Sequence, residues 1–396
     1  MPTSRAYSFA AASIIIYLFG NQTQVGWLYV VSALLLGSVV AAWWLSRSSQ
    51  KGLSGTRQVG KNLDADLYEN DEVEINFTLR KTGANSNHLR LTEVCPLAAP
   101  DSQQRTTRLF VPALPGGEAV QFTYHVTIDR RGLHTFPAVE TESYAPFGFF
   151  KRKTDLEIVT RTLVYPEVRP LKRLELLDRQ LNASMAQPRA GVGYEVMGVR
   201  PYRTGDSPRH IHWRSVARTG QLISKEFADE AQPGLILTLD LFAHPYPATS
   251  SKHMPFEWAV KCAASIGAYV RLKGYSLHIM SDDDVMAAPV GPVAGMALLQ
   301  YLARVEATGK RTLTEVLRQP INQQFIAVVL PWPDKQVVER LVELRRSGIK
   351  VLAVMMDATT FPDGGMTSDE AAGTLRAQEI TVREVAFGDD WAEQLF

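Results

Sequence analysis

The sequence predicts a multi-domain chain with three parts in order: an N-terminal transmembrane helical hairpin, a β-sandwich and a C-terminal doubly wound α/β domain. Three observations carry this prediction. The first fifty residues hold two apolar stretches that are nearly free of charge. From about residue 70 to 165, short segments alternate apolar and polar side chains. Beyond residue 234, apolar strand-like runs alternate with amphipathic helical spacing.

Residues 27–45 carry no charge and, as a helix, reach about 28 Å, close to the thickness of a bilayer core. Trp27 and Tyr29 mark one end and Trp43 and Trp44 the other, the positions that aromatic side chains favour at membrane interfaces. Residues 6–20 are apolar but shorter. They fit either a first span or a signal-peptide core. No small-residue cleavage pattern follows them, which favours a two-span hairpin over residues 1–50 with a polar tip at 21–26. Arg5 precedes the first span, the tip has no Lys or Arg, and Arg47, Lys51, Arg57 and Lys61 follow the second. The positive-inside rule then places everything after residue 50 in the cytoplasm. The alternative, a cleaved signal and a single span, would place the bulk of the chain outside.

A short linker at 51–56 leads into residues 56–166. Val73 to Leu79 and Val120 to Ile128 alternate strictly, which marks strands with one buried face. Further strands are expected at 88–94, 105–111, 133–142 and 156–164, separated by turn residues such as Pro115-Gly116-Gly117 and Arg131-Gly132. About seven short strands in this length imply an immunoglobulin-like sandwich. The segment Pro146-Phe147-Gly148-Phe149-Phe150 breaks the alternation. It is either a packed corner or an exposed aromatic contact for a partner.

Residues 233–396 predict strands at 235–241, 276–280, 325–330 and 350–356, with an edge strand at 380–387. Helices are expected at 256–272, 294–306 and 334–347. This order implies a mostly parallel sheet covered on both faces, with ligands binding beyond the strand carboxyl ends. Asp282-Asp283-Asp284 is read as an acidic loop tip, solvated or attracting a cation.

The densest cluster of ionisable residues lies at 189–230, within a segment bounded at 167–232. Asp206 or Ser207 can cap a helix over 208–218 that tolerates Pro208 in its first turn and ends at Gly220. On such a helix His210, Arg214 and Arg218 form one basic stripe. Glu226, Asp229 and Glu230 are the nearest carboxylates in sequence. Three functions compete for this segment. His210 and His212 as metal ligands would need a strand, because helical residues two apart diverge. The arginines and a helix amino terminus can bind an anion or phosphate. A structural ion-pair network or an interface is the reading favoured here.

The run Arg200-Pro201-Tyr202-Arg203-Thr204-Gly205-Asp206-Ser207-Pro208-Arg209-His210-Ile211-His212-Trp213-Arg214, continuing through Arg218 and Gly220 to Lys225-Glu226-Phe227, closely resembles the signature of the family called domain of unknown function 58. The upstream membrane spans, the Arg131-Gly132 turn and the Pro146–Phe150 corner fit its members as well. The resemblance implies a C-terminal domain similar to von Willebrand factor A domains. It also implies an association with MoxR-type AAA+ ATPases, sometimes with transglutaminase-like membrane proteins, and no established catalytic activity. Von Willebrand factor A domains can hold magnesium through Asp-x-Ser-x-Ser. Asp240 matches the first position here, but Phe242 and His244 stand at the serine positions. Neither suits an ion that demands oxygen ligands, so the site is expected to be degenerate and no metal or other cofactor is expected. A divalent-cation-dependent adhesion-type binder would need that site intact.

Composition narrows the function classes. The 396 residues carry 42 Lys and Arg against 41 Asp and Glu, a balance that argues against a nucleic-acid partner. Cys95 and Cys262 are the only cysteines, which excludes a disulfide framework and fits a reducing compartment. There is no Walker A loop, Rossmann glycine fingerprint or Gly-x-Ser-x-Gly elbow. The expectation is a non-enzymatic, membrane-anchored adaptor that works with a MoxR-type ATPase. The residues expected to carry the interface are Arg200, Tyr202, Arg203, Gly205, Asp206, Arg209, His212, Trp213, Arg214, Arg218, Lys225 and Glu226. The alternative is a metal- or phosphate-dependent hydrolase using Asp206 to Arg218.

Overall fold

The computed structural model describes residues 1–396 except 48–49, 61–65, 145, 175–177, 179–189, 204–206, 229–233, 243–251, 283, 288–291, 322, 363 and 396, and leaves aside the side chains of 190–198, 226–228, 284–287 and 292–294. The chain divides into two compact units, Met1–Glu167 and Val168–Phe396.

The first unit opens with α1 (Ser4–Thr23) and α2 (Gly26–Ser46). Both are longer than the sequence predicts, and the polar tip shrinks to a turn at Gln24 and Val25. Helix α1 continues through Asn21 to Thr23, whose hydroxyl donates back to the Phe19 carbonyl at 2.8 Å. Helix α2 is long and apolar enough to cross a membrane, with a mean hydropathy of 2.0, the one such helix among the described residues. The two helices clasp through reciprocal bonds. Ser13 Oγ donates to the Ser32 carbonyl and Ser32 Oγ to the Ser13 carbonyl, each at 2.9 Å. Nearer the turn, Gly20 permits close approach, since a Cβ there would stand 3.1 Å from Leu28 Cβ. Small residues and hydroxyls are what hold membrane helices together.

Ten strands follow: β1 (Leu53–Val59), β2 (Leu67–Tyr68), β3 (Glu72–Lys81), β4 (Ser86–Val94), β5 (Thr106–Leu114), β6 (Ala119–Thr127), β7 (Gly132–Phe136), β8 (Val139–Ser143), β9 (Arg152–Leu156) and β10 (Thr160–Tyr165). They form three sheets, ordered β1-β3-β6, β2-β10-β7 and β5-β4-β8-β9. Two expectations need correction. The linker at 51–56 belongs mostly to β1, which pairs along β3. The single strand expected at 133–142 is two strands in different sheets. Pro137 divides them, having no N–H to offer a ladder.

Alternation places the core. Val73, Ile75, Phe77 and Leu79 of β3 all point inward. Phe77 and Leu79 meet Leu89 and Leu91 of β4 and Val111 of β5 in one cluster. Val73 and Ile75 join Val126, Phe136 and Val164 in another. The hairpin and the β strands belong to the same compact unit. Thr3 N–H donates to the Phe149 carbonyl, Lys151 N–H donates to the Met1 carbonyl, and Phe149 is buried with Ala6 and Ala42.

The second unit begins with an antiparallel pair, β11 (Ala190–Pro201) and β12 (Ile223–Ala228). Between them lie a 3-10 turn (Pro208–His210) and α3 (Trp213–Thr219). Then follow β13 (Gly234–Leu239), α4 (Pro255–Leu272), β14 (Ser276–Ser281), β15 (Asp284–Ala287), α5 (Pro292–Arg304), α6 (Leu313–Val316), β16 (Phe325–Leu330), α7 (Lys335–Arg346), β17 (Lys350–Met356), α8 (Asp369–Ala377), β18 (Thr381–Val385) and α9 (Trp391–Gln394). The sheet order is β15-β14-β13-β16-β17-β18, with five parallel strands and an antiparallel edge at β15. Side chains of β13 and β16 divide by parity between the faces. Leu235, Leu237, Phe325 and Val329 pack with α4, and Ile236, Ile326 and Val328 pack with α7 and α8. Helices thus cover both faces, which is why these strands are apolar throughout.

Candidate functional site

The helix expected over 208–218 is broken at Ile211. That residue is extended (φ −68°, ψ 130°), is buried, and bridges Ser224 of β12. His212 N–H donates to the Ile223 carbonyl at 2.8 Å. Pairing with β12 outweighs helix propagation at this point. Ser207 precedes the 3-10 turn without a side-chain cap. The cap of α3 is His212, whose Nδ1 accepts from the Ser215 amide at 3.3 Å. Gly220 ends α3 in the left-handed region (φ 69°), as its position in the sequence predicts. The break removes His210 from the basic stripe, leaving Arg214 and Arg218 one turn apart on α3.

Three arginines of this segment face outward. Arg209, Arg214 and Arg218 are exposed, and among the described residues none has a carboxylate within ion-pair distance. Trp213 at the start of α3 is 64% exposed, and Val199 and Leu222 of the same segment are exposed too. Arg200, Tyr202 and Lys225 are half-buried and Arg203 is exposed. Arg200 stands opposite Ser224, and Val199 opposite Lys225, in the β11–β12 ladder. Gly205, Asp206, Asp229 and Glu230 lie outside the described residues, as does the Glu226 side chain. The carboxylates expected to pair with this stretch, Glu226, Asp229 and Glu230, thus fall outside the described side chains. What the segment offers is an exposed indole, Trp213, with exposed arginines at 209, 214 and 218 close to it in sequence. Trp and Arg supply much of the binding energy in protein interfaces.

A second feature lies beyond the carboxyl ends of β13 and β14, a cavity of about 620 Å³ lined by Leu241, Asp282, Tyr301, Arg304 and Lys310 among others. Asp282 is not the solvated tip expected from sequence. Its carboxylate accepts from the Lys310 amide at 2.6 Å, the Arg311 amide at 3.3 Å and Arg311 Nε at 2.7 Å. Burial would raise this carboxyl, but those bonds outweigh it and hold it below the usual carboxylate range. Asp283 and the Asp284 side chain lie outside the described residues. The partners of Asp282 are twenty-eight and more residues away in sequence, so no local pattern announces them.

Asp240 follows β13 and is 2% exposed. Its Oδ1 accepts from the Phe242 amide at 3.1 Å. Phe242 bridges Gly309, and His244 lies outside the described residues. Asp334 of the loop after β16 is occupied in capping α7. Among the described residues, no three His, Cys, Asp or Glu side chains gather closely enough to hold a metal ion.

Residues 198–391 match the family model described as Protein of unknown function DUF58. No curated protein matches the chain at a significant level. Among solved structures, the chain is similar to the PilB minor pilin from Streptococcus sanguinis, with 8% identity, 89% of this chain and 92% of that chain covered, and a TM-score of 0.25. It is similar to the GH20 exo-β-N-acetylglucosaminidase from Vibrio harveyi, with 8% identity, 84% and 81% covered and a TM-score of 0.22. With β-glucosidase 3B from Thermotoga neapolitana the identity is 11% and the TM-score 0.13, over 28% of this chain. The chain spans 16% of that glucosidase's length. At such TM-scores these likenesses carry no argument about fold or activity.

Proposed function

The chain belongs to the family described as protein of unknown function DUF58, and from that premise we propose that it is a membrane-anchored, non-enzymatic adaptor. Helices α1 and α2 form a two-span anchor, with the rest of the chain in the cytoplasm. Several features support the anchor. Through the middle of both helices large apolar side chains face outward, Ile14, Ile15, Leu18 and Phe19 on α1 and Val30, Leu34, Leu36 and Val40 on α2. Their polar groups at Ser13 and Ser32 satisfy each other. Positive charge is confined to the flanks and the helix ends.

In this reading the strands of the first unit form an immunoglobulin-like sandwich. The second unit is von Willebrand factor A-like. Its order β15-β14-β13-β16-β17-β18 supports that assignment, because it is the 3-2-1-4-5-6 order of doubly wound sheets. The partner surface is α3 and its flanks. The observation that carries the proposal is Trp213, 64% exposed at the start of α3, with exposed Arg214 and Arg218 on the same helix, neither of which has an ion-pair partner among the described residues. Exposed indole and guanidinium groups gain most when an acidic protein face covers them. By family resemblance that partner is a MoxR-type AAA+ ATPase, and the pair serves assembly or maturation of a membrane or envelope complex.

The test is co-purification. Full-length protein in mild detergent is expected to retain the ATPase when ATP is bound. Failure to retain it under those conditions argues directly against the proposal.

A further inference from the structure

We propose that the base of the helix pair binds one anionic phospholipid, its phosphate between Arg5 and Arg90 and an acyl chain along Phe9, Leu34 and Leu35. This rests on the membrane anchor proposed above and extends it to a specific lipid site.

Two cavities meet there. One, of about 710 Å³, is lined by Phe9, Val31, Leu34, Leu35, Phe147 and Phe149, with Arg5 and Ser38 at its margin. The other, of about 660 Å³, is lined by Arg5, His88, Arg90, Phe110 and Tyr144, together with the first residues of α1. Arg5 and Phe147 line both, so an apolar trough on the helices continues into a cationic mouth. That sequence of surfaces matches a phospholipid, an apolar chain joined to a phosphate.

The mouth carries uncompensated positive charge. Arg5 and Arg90 are exposed, and among the described residues neither has a carboxylate within ion-pair distance. The acid nearest in the ladder is Glu142, the cross-strand neighbour of Arg90. It is already taken, accepting from Lys151 Nζ at 2.8 Å and the Tyr144 hydroxyl at 3.0 Å. The Arg90 guanidinium instead lies 5.2 Å from the Tyr144 ring centre. No side chain caps α1, and Thr3 at its cap position and Ser4, its first residue, line the same mouth. His88 is held in the left-handed region (φ 50°), 6.3 Å from Phe110 by ring centres. Backbone held there in a residue other than glycine is more frequent at binding sites.

A free anion would need the mouth alone and would leave the trough unexplained. A protein partner would have to displace the acyl chains that surround the helices. Phe147, 60% exposed at the junction, is placed to lie among those chains.

The experiment uses the full-length protein in mild detergent with equal amounts of phosphatidylglycerol and phosphatidylcholine, and native mass spectrometry reads the bound lipid. One phosphatidylglycerol is expected in clear preference to phosphatidylcholine. Arg5→Gln with Arg90→Gln is expected to weaken it about tenfold to thirtyfold. Leu34→Trp, which narrows the trough but keeps both arginines, is expected to weaken both lipids alike. Equal retention of the two lipids, indifference to the arginine substitutions, or displacement by inorganic phosphate alone overturns the proposal. Alkaline carbonate extraction of membranes separates the two levels. Release of the wild-type protein overturns the anchor itself. Retention without lipid preference overturns only the lipid site.

Discussion

His212 Nδ1 lies 2.7 Å from the Ser215 hydroxyl while accepting the Ser215 amide, so an imidazole does the work usually left to a Ser or Asp cap. Losing it leaves the amino end of α3 open. His212→Ala is expected to cost about 1 kcal/mol locally, while His212→Asn restores a cap. Amide hydrogen exchange at Ser215 checks this. Alanine is expected to speed it about fivefold and asparagine to leave it near wild type.

Arg57 and Glu93 form a fully buried pair, Nε to Oε1 at 2.6 Å. Arg57 also donates to the Ile158 carbonyl and faces the Phe136 ring at 4.5 Å. Removing one partner strands the other charge. Glu93→Ala is expected to destabilise the protein by about 3–5 kcal/mol. Replacing both by apolar residues of similar volume is expected to recover much of that loss. Chemical denaturation of the detergent-solubilised protein measures both.

The Asp282 carboxyl sits below its ordinary range because Arg311 and two backbone amides bind its charged form. Its stabilisation is therefore full above the ordinary carboxylate value of about 4 and is lost as pH falls from there through the lower folded value. Because Arg311 is partly exposed, the effect is screened, at most about 1 kcal/mol. Asp282→Asn is expected to melt below wild type at pH 7, and the gap is expected to close in acid. Thermal unfolding across pH reads the difference.

Gly267 of α4 faces Leu298 of α5, and a Cβ there would collide with Leu298 Cδ2. Leu298 is itself buried and has little room to retreat. Gly267→Ala is expected to cost about 1–3 kcal/mol despite alanine's better helix propensity. Leu298→Ala combined with it is expected to restore part of the loss, which a double-mutant cycle by denaturation measures.

The sequence made periodic features legible. Val73 to Leu79 shows its buried face by alternation, and Phe325 to Leu330 shows burial on both faces by having no polar side chain. Gly220 announces the end of α3 because only a left-handed residue stops a helix so abruptly. What stayed hidden depends on partners remote in sequence. Ile211 looks helical until Ser224 pairs with it. Asp282 looks solvated until Lys310 and Arg311 return to it. Arg5 and Arg90 look unrelated until the Phe149 corner seats the hairpin. The strand break at 137 was available in Pro137 and follows from its missing donor. In the candidate site the residue types were legible and the pairing was not, because outward guanidinium groups and paired ones have the same sequence.

Binding between the full-length protein in nanodiscs and a MoxR-type ATPase, with and without changes to α3, tests the proposed adaptor function most directly. Trp213→Ala with Arg214→Glu and Arg218→Glu is expected to abolish ATP-dependent binding while leaving the thermal transition unchanged. Undiminished binding by that triple variant would contradict the assignment of the partner surface to α3.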